Sequence, residues 1–263
     1  MSSDNHYSVY DPFAWFYDRY WGNSFSKDAR PIVQRLLLPH LPAGGSILDL
    51  CCGTGQFAHW LTGCGFRVTG LDGSIRMLRL ARKNAPDARF VVADARRFWM
   101  PPVHAAVVST FDSLNHVPSS DSLREVFQNV RACLKEDGLF LFDMNTDEGF
   151  RATAPETHAV IKKNHACIVK SEYNTRSGIA SSEVTLFERR DGGWLRSDLE
   201  ILEYLHPEDE VRAALATAGF QRVEVYDAEQ DLGMKRGAGR LFFLAAKGRV
   251  RQEAPPGAEG KPL

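Results

Sequence analysis

Short apolar runs alternate with amphipathic stretches between residues 46 and 145. The runs "SILDLC", "FRVTGLD", "RFVVAD", "AAVVST" and "GLFLFDM" are separated by stretches such as "QFAHWLTGC", "SIRMLRLARKN" and "DSLREVFQNVRACLK". Strands that alternate with helices in this way are typical of βαβ units, which form a parallel sheet with helices on both faces. The pattern therefore predicts an α/β fold.

Capping residues mark the ends of several predicted helices. Ser74 is predicted to cap the helix that follows the second strand, and Ser120 or Asp121 the helix that follows the fourth. Gly138 comes directly after "LREVFQNVRACLKED" and is predicted to end that helix, because glycine readily adopts the left-handed conformation of a C-terminal cap.

The segments before and after this region follow other patterns. Residues 1–42 contain two predicted helices, "DPFAWFYDRYWG" and "KDARPIVQRLLLPHL", which we expect to lie across the upper edge of the sheet as a helical lid. Residues 147–206 contain the long extended runs "HACIVKSEYN", "IASSEVTLFERR" and "WLRSDLEILEYL", separated by "TRSG" and "RDGG". Turns that contain glycine between alternating runs predict a small antiparallel β insert, which we expect to cover the active site.

The α/β pattern resumes after the insert. A helix is predicted in "PEDEVRAALATAG", with Pro207 at its start and Gly219 after its end, followed by the strands "FQRVEVYD" and "RLFFLAAKG". The core is therefore predicted to comprise residues 43–146 and 207–248. The polar, Pro- and Gly-rich residues 249–263 are predicted to be a disordered tail.

Composition and charge indicate that a nucleic acid or membrane partner would need a local charged patch. The 263 residues are 44% hydrophobic, which suits one ordinary core with a small appended unit, and their formal net charge is −1. This balance gives no overall attraction to nucleic acid or to an anionic membrane. The N-terminus has no leader pattern, and no window approaches the roughly 18 apolar residues of a membrane helix. We expect a soluble, cytoplasmic protein.

The cysteines raise the question of redox or metal chemistry. There are five, including the adjacent pair Cys51 and Cys52 in "ILDLCCGTG", and none forms a CxxC pair. An odd, irregular set argues against a disulfide framework and against a zinc site. We predict buried thiols and no metal.

The same stretch carries a glycine-rich loop after a strand. Gly53 and Gly55 leave room for a ligand to approach the backbone closely, because glycine has no Cβ. The segment "GTGQFA" also satisfies the G-x-G-x-x-A form of the dinucleotide fingerprint, with Asp72 downstream. A nicotinamide-dependent enzyme is therefore one alternative.

Three carboxylates at strand ends favour a different ligand. Asp49 comes just before the loop, where a phosphate would be repelled and a cation attracted. Asp72 ends the second strand, where a carboxylate can accept both hydrogen bonds of a ribose diol, and Asp94 ends the third, where it could accept from an adenine amine. A sulfonium nucleoside suits this edge better than a pyrophosphate.

These motifs resemble those of a known family. "ILDLCCGTG", "VTGLDGS", "VVADARRF", "FDSLNHV" and "LKEDGLFLFDMNT" are similar in order and spacing to class I S-adenosylmethionine-dependent methyltransferases, over about residues 10 to 247. The resemblance implies a Rossmann-like, seven-stranded, mostly parallel sheet. The family loop typically reads D-x-G-x-G-x-G. Cys51 stands where its first glycine would be, and Gly53 and Gly55 match the second and third.

The resemblance also implies which residues bind the cofactor, S-adenosyl-L-methionine, whose product is S-adenosyl-L-homocysteine. Residues 49–55 would cradle the methionine moiety, with Cys52 packing behind the loop. The ribose would be held at Asp72 with the adjacent Gly73, and the adenine at Asp94 and Ala95. Phe111, directly after the fourth strand, would contact the cofactor or wall the site.

Methyl transfer needs alignment, exclusion of water and an acceptor with a free lone pair, and a base only if the acceptor arrives protonated. His116, just past the fourth strand, is the candidate base because histidine accepts a proton near neutral pH. His116 and Tyr17 also resemble active-site residues of aminosugar N-methyltransferases in this superfamily.

The acceptor is left open by the sequence. We expect a small molecule methylated on nitrogen, oxygen or carbon. The alternatives are a methyltransferase of tRNA or another macromolecule and a non-catalytic S-adenosylmethionine-binding module. A solvated helix face is predicted for the basic residues 76, 79, 82 and 83, which makes nucleic acid an unfavoured partner. A monomer and a homodimer both fit the sequence.

Overall fold

The computed structural model describes residues 9–248, which form one seven-stranded and one four-stranded sheet. The predicted tail at residues 249–263 lies outside the described residues. The strands are β1 (Ser46–Leu50), β2 (Arg67–Asp72), β3 (Arg89–Val92), β4 (His104–Ser109), β5 (Leu134–Asn145), β6 (Glu156–Ile161), β7 (His165–Asn174), β8 (Ile179–Arg190), β9 (Gly193–Tyr204), β10 (Arg222–Asp227) and β11 (Arg240–Ala246).

The larger sheet has the strand order β10-β11-β5-β4-β1-β2-β3. β11 pairs antiparallel with both β5 and β10, whereas the other neighbouring strands pair in parallel. The predicted seven-stranded, mostly parallel sheet is confirmed. Because parallel strands all end at one edge, the loops after β1, β2 and β4 meet there.

Helices cover both faces of this sheet. The α-helices are α1 (Ala14–Tyr20), α2 (Gly22–Leu36), α3 (Gln56–Gly63), α4 (Ile75–Asn84), α5 (Ser120–Cys133), α6 (Asp147–Thr153) and α7 (Glu208–Ala218). α5 and α7 pack on one face around Phe127 and Leu215, and α2 and α3 pack on the other around Val33 and Leu61. Burial of these apolar stripes supplies most of the drive to fold. None of the helices within residues 9–248 is long and apolar enough to cross a bilayer.

The smaller sheet is an antiparallel meander in the order β6-β7-β8-β9. Its inner face carries Cys167, Val184 and Leu186, which pack with Phe13 and Phe16 at the start of the chain. The N-terminal helices therefore have a second partner besides the large sheet. A hydrogen bond of 2.5 Å between the Tyr20 hydroxyl and Nε2 of His165 also joins α1 to β7.

The observed helix ends differ from the predicted ones in two places. Ser74 caps α4 as predicted, since its hydroxyl accepts from the Met77 amide at 3.1 Å, but α5 is capped by Ser119. The prediction for Gly138 is wrong, because α5 ends at Cys133 and Gly138 lies in β5. The pairing of β5 with β4 skips residues 135–138, which form an irregular bulge. A Cβ on Gly138 would lie 2.9 Å from the Lys135 carbonyl, so glycine is required there by close packing.

Two elements of the region 147–206 have no counterpart in the sequence prediction. α6 begins after Thr146, whose hydroxyl accepts from the Gly149 amide at 3.5 Å. β6 is an exposed edge strand whose positions show no alternation between buried and exposed residues. An edge strand with one pairing partner needs little apolar pattern, which is why periodicity did not reveal it.

Candidate active site

A cavity of about 260 Å³ lies at the carboxyl edge of the large sheet. Its floor is formed by the loops after β1, β2 and β4, one side by the N-terminal segment with Tyr10 and Tyr17, and another by the inner face of β7 to β9. A smaller cavity of about 30 Å³ adjoins it and shares Tyr17, Cys51 and Gly53 as walls. The N-terminal segment, the loops of the large sheet and the insert, which are separate in the sequence, thus enclose one cavity.

The loop after β1 bends through three residues with positive φ. These angles are +60° at Cys51, +52° at Gly53 and +83° at Gly55. Cys51 therefore occupies the left-handed region that favours glycine, and both Cys51 and Gly53 line the cavity. A Cβ on Gly53 would lie 3.7 Å from Cε1 of Tyr17, an ordinary van der Waals contact, so glycine is favoured at this position by its φ angle.

Gly55 has a different neighbour. It does not line either cavity, and a Cβ at this position would lie 2.9 Å from Cα and Cβ of Ala81 in α4. Its glycine character serves the close approach of the loop to α4. The contact of Gly55 with cofactor stays a prediction.

The two adjacent thiols have separate surroundings. Cys52 is buried with Leu78, Ala81 and Phe90, so it packs behind the loop as predicted. The prediction of buried thiols is wrong for Cys64, which is exposed just after α3. Burial, reinforced by the negative charges of Asp72 and Asp49, raises the pKa of the Cys51 thiol far above its usual value. A thiol that stays protonated is a poor nucleophile, and Cys51 therefore acts as a wall of the cavity.

Asp49 is a buried carboxylate with unused hydrogen-bonding capacity. Its side chain is 2% exposed, and Oδ2 has no hydrogen-bond partner among residues 9–248. Burial, helped by the charge of Asp72, raises the pKa of Asp49 to about 8, although the Ala58 backbone N–H opposes the shift. Because Asp49 lines the smaller cavity, a cation bound there would both pair with the orphaned oxygen and restore its ionisation.

Asp72 holds the loop and faces the larger cavity. Its Oδ2 accepts from the Gly53 amide and its Oδ1 from the Ser74 amide, each at 2.8 Å. Burial raises the pKa of Asp72, while the two backbone hydrogen bonds lower it. Each carboxylate oxygen keeps a second lone pair, so Asp72 can still accept from a diol. The adjacent Gly73 also lines the cavity.

Asp94 and Ala95 follow β3. The Asp94 carboxylate accepts from Arg96 through Nε at 3.0 Å and Nη2 at 2.7 Å and does not line the cavity. Its pKa is lowered, because the hydrogen bonds and charge of Arg96 outweigh burial. Ala93 and Ala95 on either side of it do line the cavity. The predicted adenine contact of Asp94 stays a prediction.

The turn after β4 places Phe111 and Asp112 in the left-handed region, with φ of +67° and +47°. Asp143, 1% exposed, accepts from their backbone amides at 2.8 and 3.0 Å. Arg240 forms ion pairs with both Asp112, at 3.1 Å, and Asp143. This buried cluster fixes a strained turn whose residues Phe111 and Asp112 both line the cavity.

His116 ends the 3₁₀ turn Ser113–His116 and lines the cavity. Its Nδ1 lies 2.8 Å from the Leu202 carbonyl oxygen, and its Nε2 lies 2.9 Å from the Tyr10 hydroxyl. A carbonyl only accepts, so Nδ1 carries the hydrogen. When the ring is neutral, Nε2 therefore accepts from the Tyr10 hydroxyl.

Tyr17 lines both cavities from α1. The next residue, Asp18, anchors this helix over the loop, since its Oδ1 accepts from Gln56 Nε2 at 2.7 Å and from Asn84 Nδ2 at 2.6 Å. Burial raises the pKa of Tyr17, so its hydroxyl stays protonated. The structure brings Tyr17, His116, Cys51, Gly53 and Asp72 together around one cavity.

Sequence reasoning missed several polar residues of this cavity, among them Tyr10, Asp112 and Glu203. Glu203 could have been found from the sequence, because it occupies the next alternate position after Leu199 and Ile201, which face inward on β9. A carboxylate in an otherwise apolar stripe of an alternating strand is a candidate site residue.

Comparison with known proteins gives the class. A family model described as a methyltransferase domain matches residues 20–225. The chain therefore belongs to this methyltransferase family, and its seven-stranded fold is that of the class I enzymes, whose cofactor is S-adenosylmethionine.

Individual relatives match over most of their length. A protein of Geobacillus sp. (strain WCH70) whose name assigns it to the methyltransferases is 30% identical over 251 residues, covering 91% of this chain and all of the relative. The dTDP-3-amino-3,4,6-trideoxy-alpha-D-glucopyranose N,N-dimethyltransferase of Streptomyces venezuelae is 28% identical over 234 residues, covering 85% and 93%. The crystal structure of DesVI from Streptomyces venezuelae superposes with a TM-score of 0.69 at 26% identity, covering 93% and 99%.

Proposed function

We propose that the protein transfers the methyl group of S-adenosylmethionine to the amino nitrogen of a small-molecule acceptor. An amino sugar is the acceptor class favoured by the relatives, since several carry aminosugar N,N-dimethyltransferase names. The observation that carries the proposal is the unpartnered Oδ2 of Asp49 in a cavity that the backbone of the Gly53 loop also lines.

The residues present fit the cofactor. Asp49 offers an anionic oxygen to a ligand that carries ammonium and sulfonium charges, and Asp72 offers acceptors to a ribose diol. Ala93 and Ala95 give a small apolar surface next to Asp72, which suits a flat base. The cofactor-binding set proposed for this chain is Asp49, Cys51, Gly53, Gly55, Asp72, Gly73, Asp94, Ala95 and Phe111.

When bound, S-adenosylmethionine supplies an electrophilic methyl carbon that an in-line nucleophile takes, with the carbon–sulfur electron pair left on sulfur. An alkylamine has a pKa near that of lysine, about 10, so it arrives as an ammonium ion without a lone pair. His116 is the proposed base, because Nε2 of the neutral ring already accepts from Tyr10. One proton passes from the acceptor nitrogen to the Tyr10 oxygen as the Tyr10 proton passes to His116.

Tyr17 is proposed to position the reacting groups. It walls both cavities and lies against Gly53. A fixed ring at this junction aligns donor and acceptor and excludes water, which is the main contribution an enzyme makes to methyl transfer.

The test uses the acceptor in the name of the Streptomyces venezuelae relative. The purified protein is incubated with S-adenosylmethionine and dTDP-3-amino-3,4,6-trideoxy-α-D-glucopyranose, and mass spectrometry measures S-adenosylhomocysteine and methylated amine. We expect both products, and calorimetry should show that Asp72→Ala loses cofactor binding whereas Asp87→Ala, at an exposed position, retains it. Absence of cofactor binding by the unaltered protein overturns the proposal. Methyl incorporation into RNA with none into the amine overturns its acceptor half.

A further inference from the structure

Glu203 presents a carboxylate to the acceptor side of the cavity. It lies on β9, where its Cα pairs with that of Ala180 on β8, and it lines the cavity. Its Oε2 is inaccessible to solvent and has no hydrogen-bond partner among the described residues. A buried carboxylate oxygen without a partner is energetically unfavourable, and such groups are retained where a ligand supplies the partner.

The other charges around the cavity leave Glu203 unmatched. Asp72, Asp112 and Glu203 are the carboxylates of its lining, and within residues 9–248 this lining contains no Lys or Arg. Asp72 is held by the loop amides, and Asp112 is paired with Arg240 and accepts from Asn145 Nδ2 at 2.7 Å. The lining therefore has an excess of acidic groups, and Oε2 of Glu203 is the oxygen among them that has no hydrogen-bond partner in the described residues.

Neighbouring groups do not satisfy this oxygen. Asp112 and Asn145 lie within hydrogen-bonding reach of the Glu203 side chain, and Arg240 attracts it from beyond them. Burial and the negative charge of Asp112 raise the pKa of Glu203, and Arg240 opposes them incompletely. A cationic ligand next to Glu203 would lower this pKa and stabilise the ionised carboxylate.

We infer that Glu203 binds the acceptor as an ammonium ion and so selects amines over alcohols and acids. This inference rests on the proposed function and adds the residue that recognises the acceptor. An ammonium N–H donated to Oε2 makes a charge-assisted hydrogen bond, which is among the strongest that a side chain can form. An alcohol gives a weaker bond, and a carboxylate or phosphate is repelled by the surrounding acids.

The surroundings of Glu203 define the rest of the bound group. Val169, Val184 and Ile201 share the inner face of the insert and line the same cavity. These aliphatic walls suit a hydrocarbon or deoxysugar ring beside the ammonium group. Any phosphate of the acceptor would have to lie outside this part of the cavity, since its lining offers no cation.

The experiment uses two probes with the same ring, cyclohexylammonium and cyclohexanol, of which one carries a cationic ammonium group and the other a neutral hydroxyl. Each is titrated at pH 7.5 into protein saturated with S-adenosylhomocysteine, and ligand-observed NMR gives the dissociation constants. We expect the ammonium to bind at least about tenfold more tightly than the alcohol, as one charge-assisted hydrogen bond implies. Glu203→Gln should remove this preference, and Glu200→Gln, an exposed residue of the same strand, should keep it.

The outcomes separate this inference from the proposed function. Equal binding of the two probes to unaltered protein, or a preference that survives in Glu203→Gln, overturns the role of Glu203 while cofactor binding stands. Failure of S-adenosylhomocysteine to bind overturns the proposed function itself. Circular dichroism and retained cofactor affinity show that Glu203→Gln is folded, so a lost preference then reports on recognition.

Discussion

The hydroxyl of Tyr10 lies 2.9 Å from Nε2 of His116, and the two rings meet edge to face with their centroids 5.6 Å apart. These residues are 106 positions apart in the chain. The Leu202 carbonyl on β9 accepts the hydrogen of Nδ1, and this contact holds the neutral His116 ring in one tautomer. The other nitrogen, Nε2, is then the acceptor, and it faces Tyr10. This arrangement supports the proposal that His116 takes a proton from an ammonium acceptor by way of Tyr10.

Substitution of this pair should slow methyl transfer without weakening cofactor binding. We expect His116→Gln to lower kcat with an amine acceptor by about 10²-fold, the usual contribution of a general base. Tyr10→Phe should lower kcat as well, because the proton path to Nε2 is interrupted. The loss should shrink at higher pH, where more of the acceptor is already deprotonated. Rates of S-adenosylhomocysteine formation measure this effect, and the exposed His59→Gln serves as control. A pH-independent loss would contradict the base role.

Asp49 should make both stability and cofactor affinity depend on pH. Its pKa of about 8 in the folded protein exceeds the unfolded value of about 3.9, so the folded state binds the extra proton between these values. The free energy of unfolding without cofactor should therefore fall as pH rises from about 4 to about 8. Asp49→Asn should remove that slope and be the more stable protein above pH 8.

Cofactor affinity should follow the opposite trend, because a cationic ligand requires ionised Asp49. Affinity for S-adenosylmethionine should rise up to about pH 8 in the unaltered protein and be weaker and flatter in Asp49→Asn. Thermal unfolding and calorimetry between pH 5 and pH 9 measure the two trends, with Asp87→Asn as matched control. Identical slopes in protein and variant would show that Asp49 is not the titrating group.

Gly55 and Gly65 allow two contributions to the free energy of unfolding to be distinguished, the cost of a left-handed backbone and the cost of a close contact. Their φ angles are +83° and +89°, but a Cβ would meet Ala81 at 2.9 Å in the first case and nothing within 4 Å in the second. Gly65→Ala should cost only the left-handed penalty, about 1–2 kcal/mol. Gly55→Ala should cost about 1–3 kcal/mol more from overpacking. Urea unfolding measures both, and equal losses would contradict the contact with α4.

Substitution of the buried Arg240 should lower the free energy of unfolding far more than loss of an exposed ion pair does. The Arg240 side chain is 14% exposed, and Arg240→Met would leave Asp112 and Asp143 without it. We expect a loss of about 3–5 kcal/mol, compared with less than about 1 kcal/mol for Arg212→Met, whose i,i+4 pair with Glu208 is exposed. Denaturant unfolding measures both variants. Partial recovery in Arg240→Met with Asp143→Asn would show that the unpaired charge, rather than lost packing, causes the damage.

The donor half of the site could be predicted because its signals are local. Asp49 and Asp72 end parallel strands, and Gly53 follows one of them, so the rule that such strands end at a common edge places them together. Both ends of β7 and both ends of β8 were also predicted correctly, because the apolar alternation of each strand is regular and bounded by turns. In these cases the sequence signal is local, and a general rule of parallel sheets supplies the contact between distant residues.

The acceptor half depends on contacts between distant parts of the chain. Tyr10 meets His116 because the N-terminal segment packs on the inner face of the meander, and Glu203 meets Asp112 because the insert folds back over the large sheet. Gly138 was misassigned for a related reason, because the bulge that needs it is created by pairing with β4. Tertiary pairing overrode local preference at each of these positions.

Glu203, which pairs with Ala180 on β8, lies in a different part of the fold from the residues proposed to bind the cofactor. The groups proposed to hold the donor lie at the strand ends of the large sheet, whereas Glu203, Val169 and Val184 lie on the meander β6 to β9. Under the proposed function, replacement of side chains on the inner face of that meander would change the acceptor and leave the residues proposed for the donor unaltered. The meander is then the region to exchange when a new acceptor is sought.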